Sequence, residues 1–367
     1  MNMLKYNEIF EDDTHNITKI PKSEYKESGD IPIIDQGKEF VAGYSDNYEN
    51  KKIESTRIIF GDHTRIIKFV DFKAYIGADG VKVLKIKNKN ADYKYMYYYL
   101  KKSYIPDTGY NRHYKWLKEL KFNLPLVEEQ KRISNKLDKA QEIIDIRKKQ
   151  IEDLENLIKS QFIELFGKID KRIKVKECCS KITDYVASGS FASIRQNVKY
   201  YNNPEYAIMV RTADFANNFS ENLTYTDKHG YDFLHNSNLF GGELLLSNIG
   251  ASIGKVHRVP YLNVPMTLAP NAIMLKGNKE YLEDYLQYYF LSDEGQVQLK
   301  SMTTATAMPK FNKTQLKEVE IIKAPIELQN QFAKIVQQIN KQKIELQKNL
   351  EEMEKLQESL MNKYFGG

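Results

Sequence analysis

Apolar residues return in alternating steps of four and three along two long stretches of the chain. The first runs through Ile133, Leu137, Ala140, Ile144, Arg147, Ile151, Leu154, Ile158, Gln161 and Leu165. The second runs through Phe332, Val336, Ile339, Lys343, Leu346, Leu350, Met353, Gln357, Leu360 and Tyr364. This spacing predicts two long helices, each with one apolar seam. Neither stretch holds Pro or Gly until Gly167 and Gly366, which suit helix ends. Pro125 and Pro325 stand just before them, where a helix start tolerates proline. A helix cannot bury its own stripe, so two matching stripes most simply bury each other as an antiparallel pair. The expected contacts set Ile133, Leu137, Ile144, Ile151, Leu154 and Ile158 against Phe332, Val336, Ile339, Leu346, Leu350 and Met353. Arg147, Gln161, Lys343 and Gln357 interrupt the seam and are candidates for fixing its register. A coiled coil between two chains satisfies the same pattern.

Outside the helices the pattern changes to short apolar runs bounded by Gly and polar residues. Residues 31–34, 56–60 and 81–86 read as strands, followed by an aromatic helix over 93–100. Residues 206–210, 243–246 and 272–275 repeat the strand order, and 281–291 the helix. The two blocks therefore read as divergent copies of one mixed α/β domain.

A shift of 199 residues makes the duplication explicit. Leu117-Lys118-Glu119 falls on Leu316-Lys317-Glu318, Glu128 and Gln130 on Glu327 and Gln329, and Phe166-Gly167 on Phe365-Gly366. Lys149, Glu152, Glu155, Leu157 and Ser160 also recur at that separation, giving 12 identities over 51 ungapped positions. Shared heptads alone do not produce a matching opening motif and a matching Phe-Gly exit. The helices repeat well and the domains poorly, which suggests a constant frame carrying two variable readers.

Length and composition narrow the class. The 367 residues are 41% hydrophobic and 28% charged, a globular balance with room for two or three domains. No stretch of about eighteen apolar residues marks a transmembrane helix. Residues 1–13 carry Glu8, Glu11, Asp12 and Asp13 and no apolar core, so a secretory signal is not expected. Two adjacent cysteines, Cys178 and Cys179, exclude a disulfide framework and a four-cysteine zinc site. A reducing cytoplasm is the expected setting. The net charge of +6 lies wholly in two blocks: residues 1–116 hold 20 Lys+Arg against 17 Asp+Glu, and residues 168–315 hold 17 against 14. The remaining segments are neutral. A basic excess on the reader blocks favours a polyanion weakly.

Candidate chemistry gathers where Gly and polar residues follow the strands. In the first block these are Gln36, Lys38, His63, Thr64, Arg65, Tyr110, Asn111, Arg112, His113 and Lys115. In the second they are Arg211, Thr212, Ser247, Asn248, Ser252, Lys255, Thr304, Thr306 and Lys310. Arg, Asn and Gln can read base edges bidentately, Lys neutralises phosphate, and glycines let backbone approach it. Ordinary loops use the same residues, so the chemistry alone does not decide.

Taken together, these features resemble the specificity subunit of Type I restriction-modification systems. The carriers are residues 124–133, Leu-Pro-Leu-Val-Glu-Glu-Gln-Lys-Arg-Ile, and their second copy at 324–333, each opening a long helix after a globular block. Gly61-Asp62-His63-Thr64-Arg65, Gly109-Tyr110-Asn111-Arg112-His113 and Gly250-Ala251-Ser252-Ile253-Gly254-Lys255 are similar to segments of such domains. The resemblance implies target-recognition domains at 1–116 and 168–315 and spacer helices at 117–167 and 316–367. It implies that each domain reads one half of a bipartite DNA target while the helix pair sets the spacing. It further implies two methyltransferase subunits using S-adenosylmethionine, and motor-nuclease subunits using ATP and magnesium. None of those cofactors is assigned to this chain, and no catalytic or metal-binding residue is expected in it.

Three sequence fragments suggest catalysis and fail on detail. Asn203-Pro204-Glu205-Tyr206 lacks the second proline of an adenine-methyltransferase motif. Gly250 to Val256 is one residue too short for a phosphate loop and ends on Val where Ser or Thr is required. Pro106-Asp107 with Glu119 and Lys121 fits a magnesium-nuclease pattern, but the repeat places Glu320 opposite Lys121. A nuclease using Asp107, Glu119 and Lys121, and a coiled-coil interaction protein without a DNA role, are the two alternatives.

Overall fold

The computed structural model describes residues 3–46, 51–303 and 309–366. The chain divides into two compact units, residues 1–149 with 347–367 and residues 150–346.

In the first unit, strands Phe10–Asp12, Val81–Ile86, Arg57–Gly61 and Ile67–Val70 form an antiparallel sheet in that order. A second sheet runs Lys19–Ile20, Tyr75–Gly77, Ile31–Ile34, Gly43–Ser45, with its first three strands parallel. Successive side chains of a strand point to opposite faces. Ile58, Phe60 and Leu84 accordingly join the helix Tyr93–Lys102 in one core. Ile59, Val81 and Val83 join Ile34 and Ile76 of the second sheet in another. Burial on both faces explains why Ile58-Ile59-Phe60 reads as an unbroken apolar run.

The second unit repeats the plan. Strands Cys179–Asp184, Ala272–Gly277, Leu244–Ser247 and Val256–Arg258 form the antiparallel sheet. Leu244, Leu246, Ile273 and Leu275 face the core that includes Tyr285, Leu286 and Tyr289 of the helix Glu283–Leu291. Leu245, Ala272 and Met274 face Ile208, Val210, Met266 and Leu268 of the other sheet. That sheet runs Tyr225–Thr226, Ala207–Val210, Met266–Leu268, Asn238–Leu239. Its edge strand Asn238–Leu239 is antiparallel, whereas Lys19–Ile20 at the matching edge of the first unit is parallel. The copies thus share a framework and differ at one sheet edge.

The long helices span Val127–Phe166 and Ile326–Phe365, 40 residues each. No seam position named above is exposed. Within the first unit, Gln357 Nε2 donates to Gln141 Oε1 at 3.0 Å and Lys148 pairs with Glu354 at 2.9 Å. Within the second, Lys343 pairs with Glu155 at 2.7 Å, and Phe166 meets Phe332 edge-on at 5.6 Å. In each unit one residue number falls as its partner's rises, which is antiparallel packing. Of the polar seam residues, Lys343 and Gln357 reach across, while Gln161 bonds along its own helix to Glu164. No helix among the described residues is long and apolar enough to cross a membrane.

The repeated Glu-x-Gln motif has a structural task. Gln130 and Gln329 are fully buried. Gln130 Oε1 accepts from Asp92 N at 2.8 Å, and its Nε2 donates to Asn90 O and Pro125 O at 2.7 and 2.8 Å. Gln329 Oε1 accepts from Leu282 N at 2.9 Å, and its Nε2 donates to Glu280 O and Ala324 O, both at 2.9 Å. Asp92 and Leu282 precede the aromatic helices, so one amide in each unit joins the start of a long helix to the start of the domain helix above it.

Candidate nucleic-acid interface

In the first unit the strand Arg57–Gly61 runs into a tight loop. A Cβ at Gly61 would lie 2.2 Å from Thr64 Oγ1, and one at Gly80, where φ is +59°, 2.4 Å from the Gln36 amide. Only glycine permits this approach. It lets Gln36 hold the loop: its Oε1 accepts from His63 N at 3.1 Å, and its backbone O accepts from Thr64 Oγ1 at 2.7 Å. Arg65, in the left-handed region at φ 61°, donates to Ile105 O and Asp107. The Gly109 N–H and the Arg65 guanidinium hold the Asp107 carboxyl below its usual range.

A second loop lies against the first. The His63 ring stacks on Tyr110 with centroids 4.7 Å apart and planes 9° apart. His63 Nδ1 lies 3.2 Å from Asn111 O, a contact that requires this nitrogen to donate. Asn111 Nδ2 donates to Thr108 O. Tyr110 is 84% exposed. Arg112 and Lys38 are exposed and make no hydrogen bond or ion pair among the described residues. Lys115 is exposed, with Nζ 4.8 Å above the Trp116 ring.

His113 is a correction. It is fully buried: Nδ1 donates to Asp62 O at 2.9 Å and Nε2 accepts from Thr108 N at 3.3 Å. Its ring has no nitrogen left for DNA and instead bolts the two loops together.

In the second unit Ser247 is also corrected. It closes the strand Leu244–Ser247, where all four side chains are buried. Beyond it, Asn248 Nδ2 donates to Phe311 O at 2.9 Å, Ser252 Oγ donates to Ile249 O at 3.0 Å, and Ile249 bridges to Lys310 through backbone. Gly254, at φ +89°, leaves room for Gln296, whose Nε2 donates to Gly254 O at 2.8 Å. The loop is thereby pinned, with Lys255 and Lys310 exposed and free of ion pairs among the described residues. Arg211 is committed to Asp214 and Asn222 O, and Thr212 beside it is half-buried. Thr304 and Thr306 lie outside the described residues.

The structure brings together His63, Thr64, Tyr110 and Asn111 near Gln36 in the first unit, with Arg112 next along the loop, and Asn248, Ser252, Lys255 and Lys310 in the second. The nuclease pattern has no comparable support. Asp107 is occupied by Arg65 and Gly109, and Lys121 pairs with Lys5 in a strand ladder. Among the described residues no three His, Cys, Asp or Glu side chains gather as a metal site. Sequence reasoning passed over Phe191, Arg195, Lys199 and Tyr200, because the short helix Phe191–Asn197 carries no strand-end glycine signal.

Two like α/β units, each closing on part of an antiparallel helix pair and each carrying its own pinned loops, define a duplicated recognition protein. The chain belongs to the Type I restriction modification DNA specificity domain family, whose model matches residues 1–156 and 180–355. It is 24% identical over 359 residues to the putative type I restriction enzyme MjaX specificity subunit of Methanocaldococcus jannaschii, covering 87% of this chain and 81% of that one. The fold is similar to the crystal structure of the S subunit from M. genitalium, with TM-score 0.57, 16% identity, and 99% and 95% of the two chains covered. It is also similar to a chain from work on complex assembly and conformational transition of the type I R-M system, with TM-score 0.50, 16% identity and 97% of each chain covered. Specificity subunits select DNA sequence and are not themselves catalytic.

Proposed function

We propose that each unit reads one half of a bipartite DNA target, residues 1–116 carrying one reader and residues 168–315 the other. In this reading residues 117–167 and 316–367 are the spacer that sets the distance between halves. Two methyltransferase subunits dock on the scaffold and bring S-adenosylmethionine, and motor-nuclease subunits bring ATP and magnesium. The assembly works in the cytoplasm.

The observation that carries this reading is the contrast between frame and loops. Gln130 and Gln329 make the same three hydrogen bonds in both units. The loops above them share neither sequence nor internal bonding. A duplicated frame with unlike loops suits a target of two unlike halves. Methylome sequencing of cells with and without this chain tests it: a methylated two-part consensus that disappears with the chain is expected. An unchanged methylome would defeat the reading, and magnesium-dependent cutting by the isolated chain would move the chemistry back into it.

A further inference from the structure

The second unit carries an aromatic and basic cleft apart from the strand-end loops. The helix Phe191–Asn197 starts at Ser190, whose Oγ accepts from Ser193 N at 3.2 Å. Its buried anchor is Ile194, followed by Val198 just past the helix. Residues four apart share a helix face, so Phe191 and Arg195 project together, and Lys199 follows just beyond the helix end. Phe191 is 70% exposed and Tyr200 54%. With Tyr185 they line a cleft of about 620 Å³. The Tyr200 and Tyr185 hydroxyls lie 2.6 Å apart, which fixes the Tyr200 ring.

The charge of this cleft is one-sided. Residues 185–204 contain Arg195 and Lys199 and no Asp or Glu. Neither cation makes a hydrogen bond or ion pair among the described residues. Asp227 feels Lys199, but its oxygens accept from Gly230 N and the Tyr201 hydroxyl. A neighbouring cleft of about 230 Å³ shares Tyr185 and Phe191 and reaches Asn248 and Lys310 of the strand-end loop. Its one acid, Asp184, is paired with Lys313 at 3.0 Å.

We propose that this cleft is a second DNA-contacting surface of the second unit, continuous with the strand-end loop through Phe191 and Lys310. Unpaired cations beside exposed aromatic rings, one of them held through its hydroxyl, fit a polyanionic ligand with apolar sugar edges, which is nucleic acid. Arg195 and Lys199 neutralise backbone phosphates, and Phe191 and Tyr200 lie against sugar or base. The inference rests on the proposed DNA-reading function and adds where the second unit grips the duplex.

The test uses the full chain in complex with its methyltransferase and a fluorescein-labelled duplex carrying the methylated consensus, with affinity measured across a salt series. Each lost phosphate contact lowers the magnitude of the slope of log K against log salt by about 0.9, so the double variant R195A/K199A should lose about two. R195K/K199R should keep the slope. Phe191→Ala should weaken binding with the slope unchanged, because it removes an apolar contact and no charge. A wild-type slope and affinity in R195A/K199A would overturn the inference while leaving the DNA-reading function intact. So would loss of methyltransferase binding with unchanged DNA affinity, which marks the cleft as a protein-docking surface. A wild-type complex that binds no duplex defeats the underlying reading itself.

Discussion

Gln130→Ala and Gln329→Ala should each destabilise their own unit by about 3 kcal/mol. The figure follows from what each amide leaves behind. Removing Gln130 strands one N–H, at Asp92, and two carbonyls, at Asn90 and Pro125, in a place without solvent access. Each buried polar group left unpaired costs about 1–3 kcal/mol, and costs within one cluster do not add fully. Gln329 strands Leu282 N, Glu280 O and Ala324 O in the same way. Gln130→Leu separates bonding from packing, because leucine refills most of the volume but satisfies none of the three groups. It should be nearly as damaging as alanine. Urea denaturation read by hydrogen exchange in peptides of each unit assigns the loss to the unit that carries the substitution. A leucine variant within about 1 kcal/mol of wild type would refute the hydrogen-bond account, since packing would then suffice. Damage at one copy and not the other would refute the claim that the two joints are equivalent. The methylated consensus should not change in any variant that still folds, because the groups these amides bond lie at the helix starts and not in the candidate DNA-facing loops.

Four further outcomes are expected. Arg112→Ala should relax selection at one position of one half-site by about 1–3 kcal/mol, visible as a degenerate base in the methylome. Deleting one heptad from each long helix removes about 10 Å of helix and should shorten the spacer between half-sites by about three base pairs, leaving both halves unaltered. His113→Ala should loosen the tie between the Asp62 and Thr108 loops and weaken DNA binding, and backbone exchange rates at Asp62–Arg65 and Thr108–Arg112 should rise. Glu318, held by Lys174 and Lys176 at 2.8 Å each, has its carboxyl lowered to about 2. A carboxyl lowered in the fold stabilises above its ordinary value of 4.5, and the stabilisation fades as pH falls through about 2. The melting-temperature gap between wild type and Glu318→Gln should therefore be small and constant above pH 4.5 and vanish near pH 2, because exposed pairs contribute little.

The frame was legible because its physics is periodic. Heptad spacing marks both long helices, and strands buried on both faces appear as apolar runs such as 58–60 and 244–246. What escaped has no period. The edge strands Lys19–Ile20 and Asn238–Leu239 are two residues long, too short to alternate. Phe162 and Phe166 both lie off the seam count, yet both are buried against Tyr285 and Phe332 of the second unit, because a helix touching a domain needs a wider apolar face than a partner helix does. Gln130 sits in the run Glu128-Glu129-Gln130-Lys131-Arg132, which reads as a solvated face. Its recurrence as Gln329 at the repeat distance was the available signal, and only the three bonds give it meaning.

The loops were harder to read because a polar residue in a loop has two uses that look alike in sequence. It can hold the loop or it can meet the ligand. His113, Gln36, Arg65 and Arg211 all hold: each spends its hydrogen-bonding groups on neighbouring backbone or on an Asp. The two units reach this end by different routes, since Arg65 pairs with Asp107 from a distant segment and Arg211 with Asp214 three residues on. Fixing a loop before binding removes part of the ordering cost that binding otherwise incurs. Internal bonds and exposed free cations are thus two halves of one device. On the proposed reading, the exposed Arg112 and Lys255 are free to meet DNA, whereas changing Arg65 or His113 would alter the posture of the whole loop. Variants at the first pair should therefore shift sequence preference with fold stability unchanged, and variants at the second should lose affinity for every sequence together.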